Sequence, residues 1–342
     1  MNIQVQRIDE YLNQLKTNVS MKLNYLSFKN SCARILIVEG QTDKAFIEKI
    51  RDGSVECLIA NKAFETTDKS KESHFNSKEA IIQVVCGMEK FSMVLKVPQE
   101  LNAFHIYGMV DLDYDSPQEA YYSASKLFVT DTHDLETLIL STDSEVLHRL
   151  EDCILTDEDI KKALTLAYQL ALTREIIERE FVPGLDTTWI NGGGEKEIDY
   201  DCIITDNHID ISKLINYLND KSNNLLSSAK KKKLCEKVVS DKRLKKKLDK
   251  NKEWKDSWEK TEISDCPEIW EMVNGHDILS VLRYISKSAA DKYNNKGSYR
   301  LNRDFEFDII GNYDYLALRT TKLYEDMVKE NVVKDIDHLN VS

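Results

Sequence analysis

None of the seven cysteines forms a C-x-x-C pair, and none of the seven histidines forms H-x-x-x-H. Those absences leave no support for a zinc ribbon, a thioredoxin-type motif or a paired-histidine metal helix. Any metal is therefore expected to be a hard one held by oxygen. An odd number of scattered cysteines suits a reducing cytosol, with most of them serving as small core residues. There is no G-x-x-x-x-G-K-[ST] phosphate loop: Asn191-Gly-Gly-Gly-Glu-Lys196 lacks the spacing and reads as a turn. No G-x-S-x-G nucleophile setting is present either. No apolar run approaches a membrane span, and the first residues lack a basic stretch followed by an apolar one. A cytoplasmic protein with no signal peptide and no membrane contact is expected. Proline (4) and glycine (11) are few, and a net charge of −12 argues against a protein that coats nucleic acid through general basicity.

What is present begins with Arg34-Ile-Leu-Ile-Val-Glu-Gly-Gln-Thr-Asp-Lys44. Four apolar residues, Ile35 to Val38, read as a short buried strand. Thr42 or Asp43 offers an N-cap for a helix over 43–52. Glu39 then sits at the carboxyl end of the strand, the edge where open α/β sheets bind ligands. Further strands are expected at 55–60, 103–110 and 127–130, and helices at 78–92 and 134–140. This alternation predicts βαβ units and a mostly parallel sheet over residues 31–142. An amphipathic helix leads in over residues 1–30. Residues 143–342 read as a mainly helical second domain, with helices at 143–151, 157–180, 210–228, 229–250, 277–292 and 312–330. A strand-like pair is expected around 186–190 and 200–204.

The strand at 103–110 runs into Asp111-Leu-Asp113-Tyr-Asp115. Carboxylates at i and i+2 of an extended segment face the same way, about 6.6 Å apart at Cα. Asp111 and Asp113 can then chelate one Mg²⁺ or bridge two, and Asp115 extends the row if the chain stays extended. Asp131, Asp134 and Glu136 arrive at the end of the next strand. Gathering so many like charges at one rim is costly, and a divalent cation relieves it. Mg²⁺, or Mn²⁺ in its place, accepts a few carboxylates and keeps waters for a phosphate ligand.

A Glu-Gly after the first strand followed by a D-x-D after a later one resembles the Toprim fold of topoisomerases, DnaG-type primases and OLD-family nucleases. The string VEGQTDKAFIE, with VDLDYD and TDTHDLE, is similar to stand-alone Toprim effectors of anti-phage defence, the AriB type of the PARIS system. Asn274-Gly-His-Asp277 resembles their C-terminal part more faintly. The resemblance implies a Mg²⁺-dependent endonuclease cutting RNA such as tRNA, or DNA, kept silent by an ABC-type ATPase partner and active as a homodimer. It implies Glu39 as metal ligand or general acid/base, Asp111 and Asp113 as metal ligands, and Asp134 or Glu136 as a further acidic position. Glu136 is taken as the additional ligand. Asp43, Lys44, Asp115, His133 and Asp134 are accessory candidates. The alternative is a non-catalytic Toprim module that docks an ATPase. Phosphotransfer of the haloacid-dehalogenase type is disfavoured, because there the D-x-D follows the first strand.

Lys44 is equally a solvated helix-face residue paired with Glu48. His133 is a candidate to touch a substrate phosphate. The lysine-rich stretch Lys230, Lys231, Lys232 and Lys233, continuing to Lys255 with Trp254 and Trp258 at its end, suits phosphate contact and base stacking. It suits equally a solvated helix face with Leu234 and Val238 turned inward. His276-Asp277 reads as a loop histidine followed by the N-cap of a helix from Ile278.

Overall fold

The computed structural model describes residues 8–18, 34–64, 76–90, 101, 105–113, 124–150, 155–179, 199–205, 208–222, 226–240, 270, 272–292 and 305–336. They fall into two units, one of Met1–Asp131 with Tyr313–Ser342, the other of Thr132–Asn312.

The first unit is α/β, a four-stranded parallel sheet flanked by helices. Helix α1 covers residues 8–18. Then follow β1 (Arg34–Val38), α2 (Gln41–Ile50), β2 (Val55–Ile59), a short α3 (Ala60–Ala63), α4 (Ser77–Lys90), β3 (His105–Val110) and β4 (Leu127–Val129). The strand order is β2-β1-β3-β4, all pairs parallel. Ile35, Leu36, Ile37 and Val38 are all fully buried, as expected of a central parallel strand covered on both faces. Ile8, Leu12 and Leu15 of α1 join Ile81, Val84 and Val85 of α4 and Ile35 and Ile37 of β1 in one apolar cluster. Alternation along β1 turns Leu36 and Val38 to the opposite face.

The order of the strands matters for function. The chain steps from β1 to β2 on one side, then crosses back over β1 to form β3 on the other. The β1/β3 boundary is thus a topological switch point, the place at the carboxyl edge where open α/β sheets bind ligands.

The C-terminal segment completes this unit. A 3₁₀ turn (Tyr315–Thr320) and α12 (Lys322–Lys329) stand where a single helix over 312–330 was expected. Tyr313 and Tyr315 pack tilted against Phe46 of α2, and Val333 bridges to Arg51 beyond its end. Asp131 accepts the Lys322 and Leu323 amides, both at 2.9 Å, and so holds the start of α12 rather than joining an acidic rim.

In the second unit lie α5 (Leu135–Thr142), α6 (Asp157–Arg179), α7 (Tyr200–Ile203), a β5/β6 ribbon (Ile204–Thr205, His208–Ile209), α8 (Ile211–Lys221), α9 (Ser228–Ser240), α10 (Gly275–Lys292) and α11 (Phe305–Asn312). Several boundaries differ from expectation. Residues 144–150 form turns rather than a helix, because α5 runs on to Thr142 and is capped by Asp143. Tyr200–Ile203 is helical, and of that stretch only Ile204 is extended, opening the two-residue strand Ile204–Thr205. Helix α11 was not foreseen. The proposed strand at 186–190, and Asp115, Lys196, Trp254 and Trp258, lie outside the described residues. No helix among the described residues is long and apolar enough to cross a membrane.

Candidate metal centre

Glu39 and Asp111 follow β1 and β3 directly, and those strands are neighbours in register, with Ile37 opposite Gly108. Both residues therefore leave the sheet at the same edge. The contact is direct: the Asp111 amide donates to Glu39 Oε1 at 2.9 Å. Gly108 helps set this geometry. A Cβ there would stand 2.3 Å from Ile81 Cγ2, so only glycine lets α4 lie this close to β3. Helix α4 runs antiparallel to the strands, which brings its first turn back to the carboxyl edge. Lys78 in that turn donates to Asp113 Oδ2 at 2.8 Å and to the Leu112 carbonyl at 3.2 Å.

The D-x-D does not continue the strand as the sequence spacing suggested. Strand β3 stops at Val110, and Asp113 takes a left-handed conformation at φ 53°, which turns the chain. Leu112 is buried, and its amide donates to Thr130 Oγ1 at 3.0 Å. Asp111 reaches Glu39 through its backbone amide and Asp113 through its charge, and the pair does not form an extended row. Asp43 is not the N-cap. Helix α2 begins at Gln41, and buried Asp43, in its first turn, accepts the Gly40 amide at 2.7 Å.

The charges of Asp113 and Asp43 reach Glu39. Burial raises the Glu39 pKa to about 7, and those two carboxylates add to the rise. The Asp111 amide and the Lys78 ammonium oppose it. The donors are all oxygens, as Mg²⁺ prefers. Among the described residues the ligand atoms of Glu39, Asp111 and Asp113 do not form a group converging within 4.8 Å, and the cation held at this edge is Lys78.

Sequence reasoning missed Lys78. The signal was available in the topology: a helix crossing from β2 to β3 must start at the ligand-binding edge. Lys44 is half-buried on α2, and its expected partner Glu48 is bonded to Arg51 instead. Lys230, Lys232 and Lys233 are exposed on α9, Lys231 is half-buried, and Leu234 and Val238 do turn inward.

The other acidic candidates belong to the second unit. Asp134 is the N-cap of α5, accepting the Thr137 amide at 2.9 Å through Oδ1 and the Gly275 amide at 2.6 Å through Oδ2. Burial alone would raise its pKa. The hydrogen bond and charge of His133, with the Gly275 amide, outweigh that and lower it. His133 is almost wholly buried, 3.2 Å from Asp134 Oδ2, and so is not placed to touch a substrate phosphate. Asp277 is not an N-cap either. It lies inside the first turn of α10, buried, accepting from Arg174 Nη2 at 2.6 Å. Burial still leaves its pKa raised, against the pull of Arg174.

Glu136 is buried, and its carboxylate lies with His276 and Glu306. One ligand atom from each falls within 4.8 Å of the others. These three residues could hold a metal ion. His276 Nδ1 is 3.4 Å from Glu306 Oε1, with Arg283 Nη2 3.9 Å from the same oxygen. The bond to Glu306 raises the imidazole pKa to about 10 against the opposing effect of burial, and the nearby charges of Glu136 and Asp134 add to the rise. No local sequence signal joins these residues, which come from three separate helices. Comparison of the chain with protein-family models, with curated proteins and with solved structures gave no match.

Proposed function

We propose that the protein is a Mg²⁺-dependent endonuclease of the Toprim type, hydrolysing phosphodiester bonds of RNA or DNA at the Glu39–Asp111–Asp113 rim. One observation carries it: the Asp111 amide bonded to Glu39 Oε1 at the switch point, with Asp113 and Asp43 close enough to raise the Glu39 pKa. In this reading Asp111 and Asp113 ligate the ion, and Glu39 either joins them or takes the proton from the attacking water. A divalent ion bound there supplies Lewis-acid charge and a water of lowered pKa. Lys78 Nζ, held beside Asp113, balances charge on a phosphate oxygen as the P–O bond to the leaving oxygen breaks. On the motif resemblance, the enzyme acts as an anti-phage effector held silent by an ATPase, and the Thr132–Asn312 unit is its helical second part.

A second reading rests on the Lys78–Asp113 ion pair. If lysine is the only cation the rim ever holds, the acids are structural and the chain is a module that docks an ATPase. Two measurements separate these. Purified protein with Mg²⁺, Mn²⁺ or EDTA is incubated with plasmid, single-stranded DNA and total tRNA, and metal binding is followed by calorimetry. Nuclease activity predicts metal-dependent cutting lost in Glu39→Ala and in the Asp111→Ala/Asp113→Ala double variant. It also predicts a Mg²⁺ binding heat that disappears with the same variants, whether or not a partner holds the enzyme silent. Wild-type protein that gives no Mg²⁺ or Mn²⁺ heat would overturn it in favour of the docking module.

A further inference from the structure

We propose that the Thr132–Asn312 unit carries its own transition-metal site, formed by Glu136, His276 and Glu306. The three are the second residues of α5, α10 and α11, so three helix starts converge on one point. One donor atom from each lies within 4.8 Å of the others, a span that a single ion can bridge after small side-chain adjustment. Two carboxylates and an imidazole make a mixed nitrogen and oxygen set. Mg²⁺ and Ca²⁺ are bound mostly by oxygen alone, whereas Zn²⁺ and Mn²⁺ accept this mixture. Three protein ligands also leave positions open for water or an anionic substrate group.

The surroundings are built to hold these donors in place. The Gly275 amide is fixed to Asp134 Oδ2 at 2.6 Å. A Cβ on Gly275 would lie 2.4 Å from Glu136 Cβ and 2.6 Å from Asp134 Oδ1, so glycine alone lets α10 bring His276 against Glu136. On the other side of His276, Asp277 is locked by Arg174. The histidine backbone is therefore clamped at both neighbours, and its ring is presented from a rigid helix start rather than a loop. His276 is also half-exposed, which gives an ion a path to the ring.

Only Glu136 was foreseen as a metal ligand, and its two partners come from helices that start far along the chain. The site shares no residue with the Glu39–Asp111–Asp113 rim, so either assignment can fail without the other. The test uses the full chain, stripped with chelator and dialysed, titrated with Zn²⁺ and separately with Mn²⁺. Co²⁺ absorption serves as a probe of ligand number. One Zn²⁺ per chain is expected in wild type and in the Asp111→Asn/Asp113→Asn variant. His276→Ala should weaken that binding at least 100-fold and abolish the tetrahedral Co²⁺ band. Glu306→Gln, which keeps the shape of the side chain, should weaken it about 10-fold or more with an unchanged circular dichroism spectrum. Zn²⁺ binding that survives both His276→Ala and Glu306→Gln, or that is absent from wild type, overturns the proposal.

Discussion

The two acidic clusters of this protein face the same electrostatic problem and meet it with different chemistry. At the carboxyl edge of the sheet, Glu39, Asp111, Asp113 and Asp43 are all oxygen donors, and one ammonium, Lys78, stands among them. In the other unit, Glu136 and Glu306 gather around an imidazole with a guanidinium close by, while Asp134 is satisfied by backbone amides. The first cluster leaves a carboxyl group with its pKa pushed up. In the second, the hydrogen bond to Glu306 holds the pKa of a histidine above its ordinary value. At the strand ends a lysine ammonium sits among the carboxylates, whereas at the helix starts Asp134 is held by the Thr137 and Gly275 amides and Glu136 and Glu306 lie beside an imidazole.

The sharpest way to break the second cluster is from behind. Arg174→Ala leaves buried Asp277 without its guanidinium, and the unit should lose about 3–5 kcal/mol, measured by urea unfolding. Zn²⁺ affinity should fall with it, since the clamp on His276 is released. At the sheet edge, Asp111→Asn keeps the shape and the amide bond to Glu39 but removes the carboxylate charge that the proposed nuclease reading requires. Cleavage should drop about 10²- to 10³-fold with the melting curve little changed.

The Glu39 titration gives the comparison a pH dimension. Its folded pKa of about 7 lies above the ordinary value of 4.5. The neutral form is thus favoured in the folded state, and its contribution to stability is complete below pH 4.5. That contribution is lost as pH rises through 7, because the folded chain then holds a proton the unfolded one has released. Metal-free wild type should lose on the order of 2 kcal/mol relative to Glu39→Gln between pH 4.5 and 8. Adding Mg²⁺ at pH 8 should restore wild type and leave the glutamine variant unmoved, as followed by thermal melts. The mildest change is Lys78→Gln. Without its competing ammonium, the rim should bind Mg²⁺ a few-fold more tightly, by about 1 kcal/mol in calorimetry.

Much of the sheet was legible in the sequence because central parallel strands are short apolar runs covered on both faces. Ile35–Val38 and the run ending at Val110 could hardly be anything else. The shared edge of Glu39 and Asp111 was legible for a related reason, since residues placed directly after neighbouring parallel strands leave the sheet together. What escaped were the properties set by distant partners. Asp277 looked like a helix cap until Arg174, on a helix more than a hundred positions earlier, claimed it. Asp113 looked like part of an extended row, but a buried Leu112 and its bond to Thr130 turn the chain instead. Phe305–Asn312 mixes two phenylalanines and two isoleucines with three polar residues and a glycine, and no clean helical stripe marks it.

The return of residues 313–336 to the first unit has a consequence during synthesis. The Asp52 amide bonds to the Val332 carbonyl, the Lys334 amide to the Ile50 carbonyl, and Tyr107 to Glu330. A ribosome thus finishes all of β1 to β4 and the whole intervening unit before the brace on α2 and β3 emerges from the tunnel. A nascent or truncated chain ending at 312 would lack these contacts to the end of α2, to the turn after it and to β3.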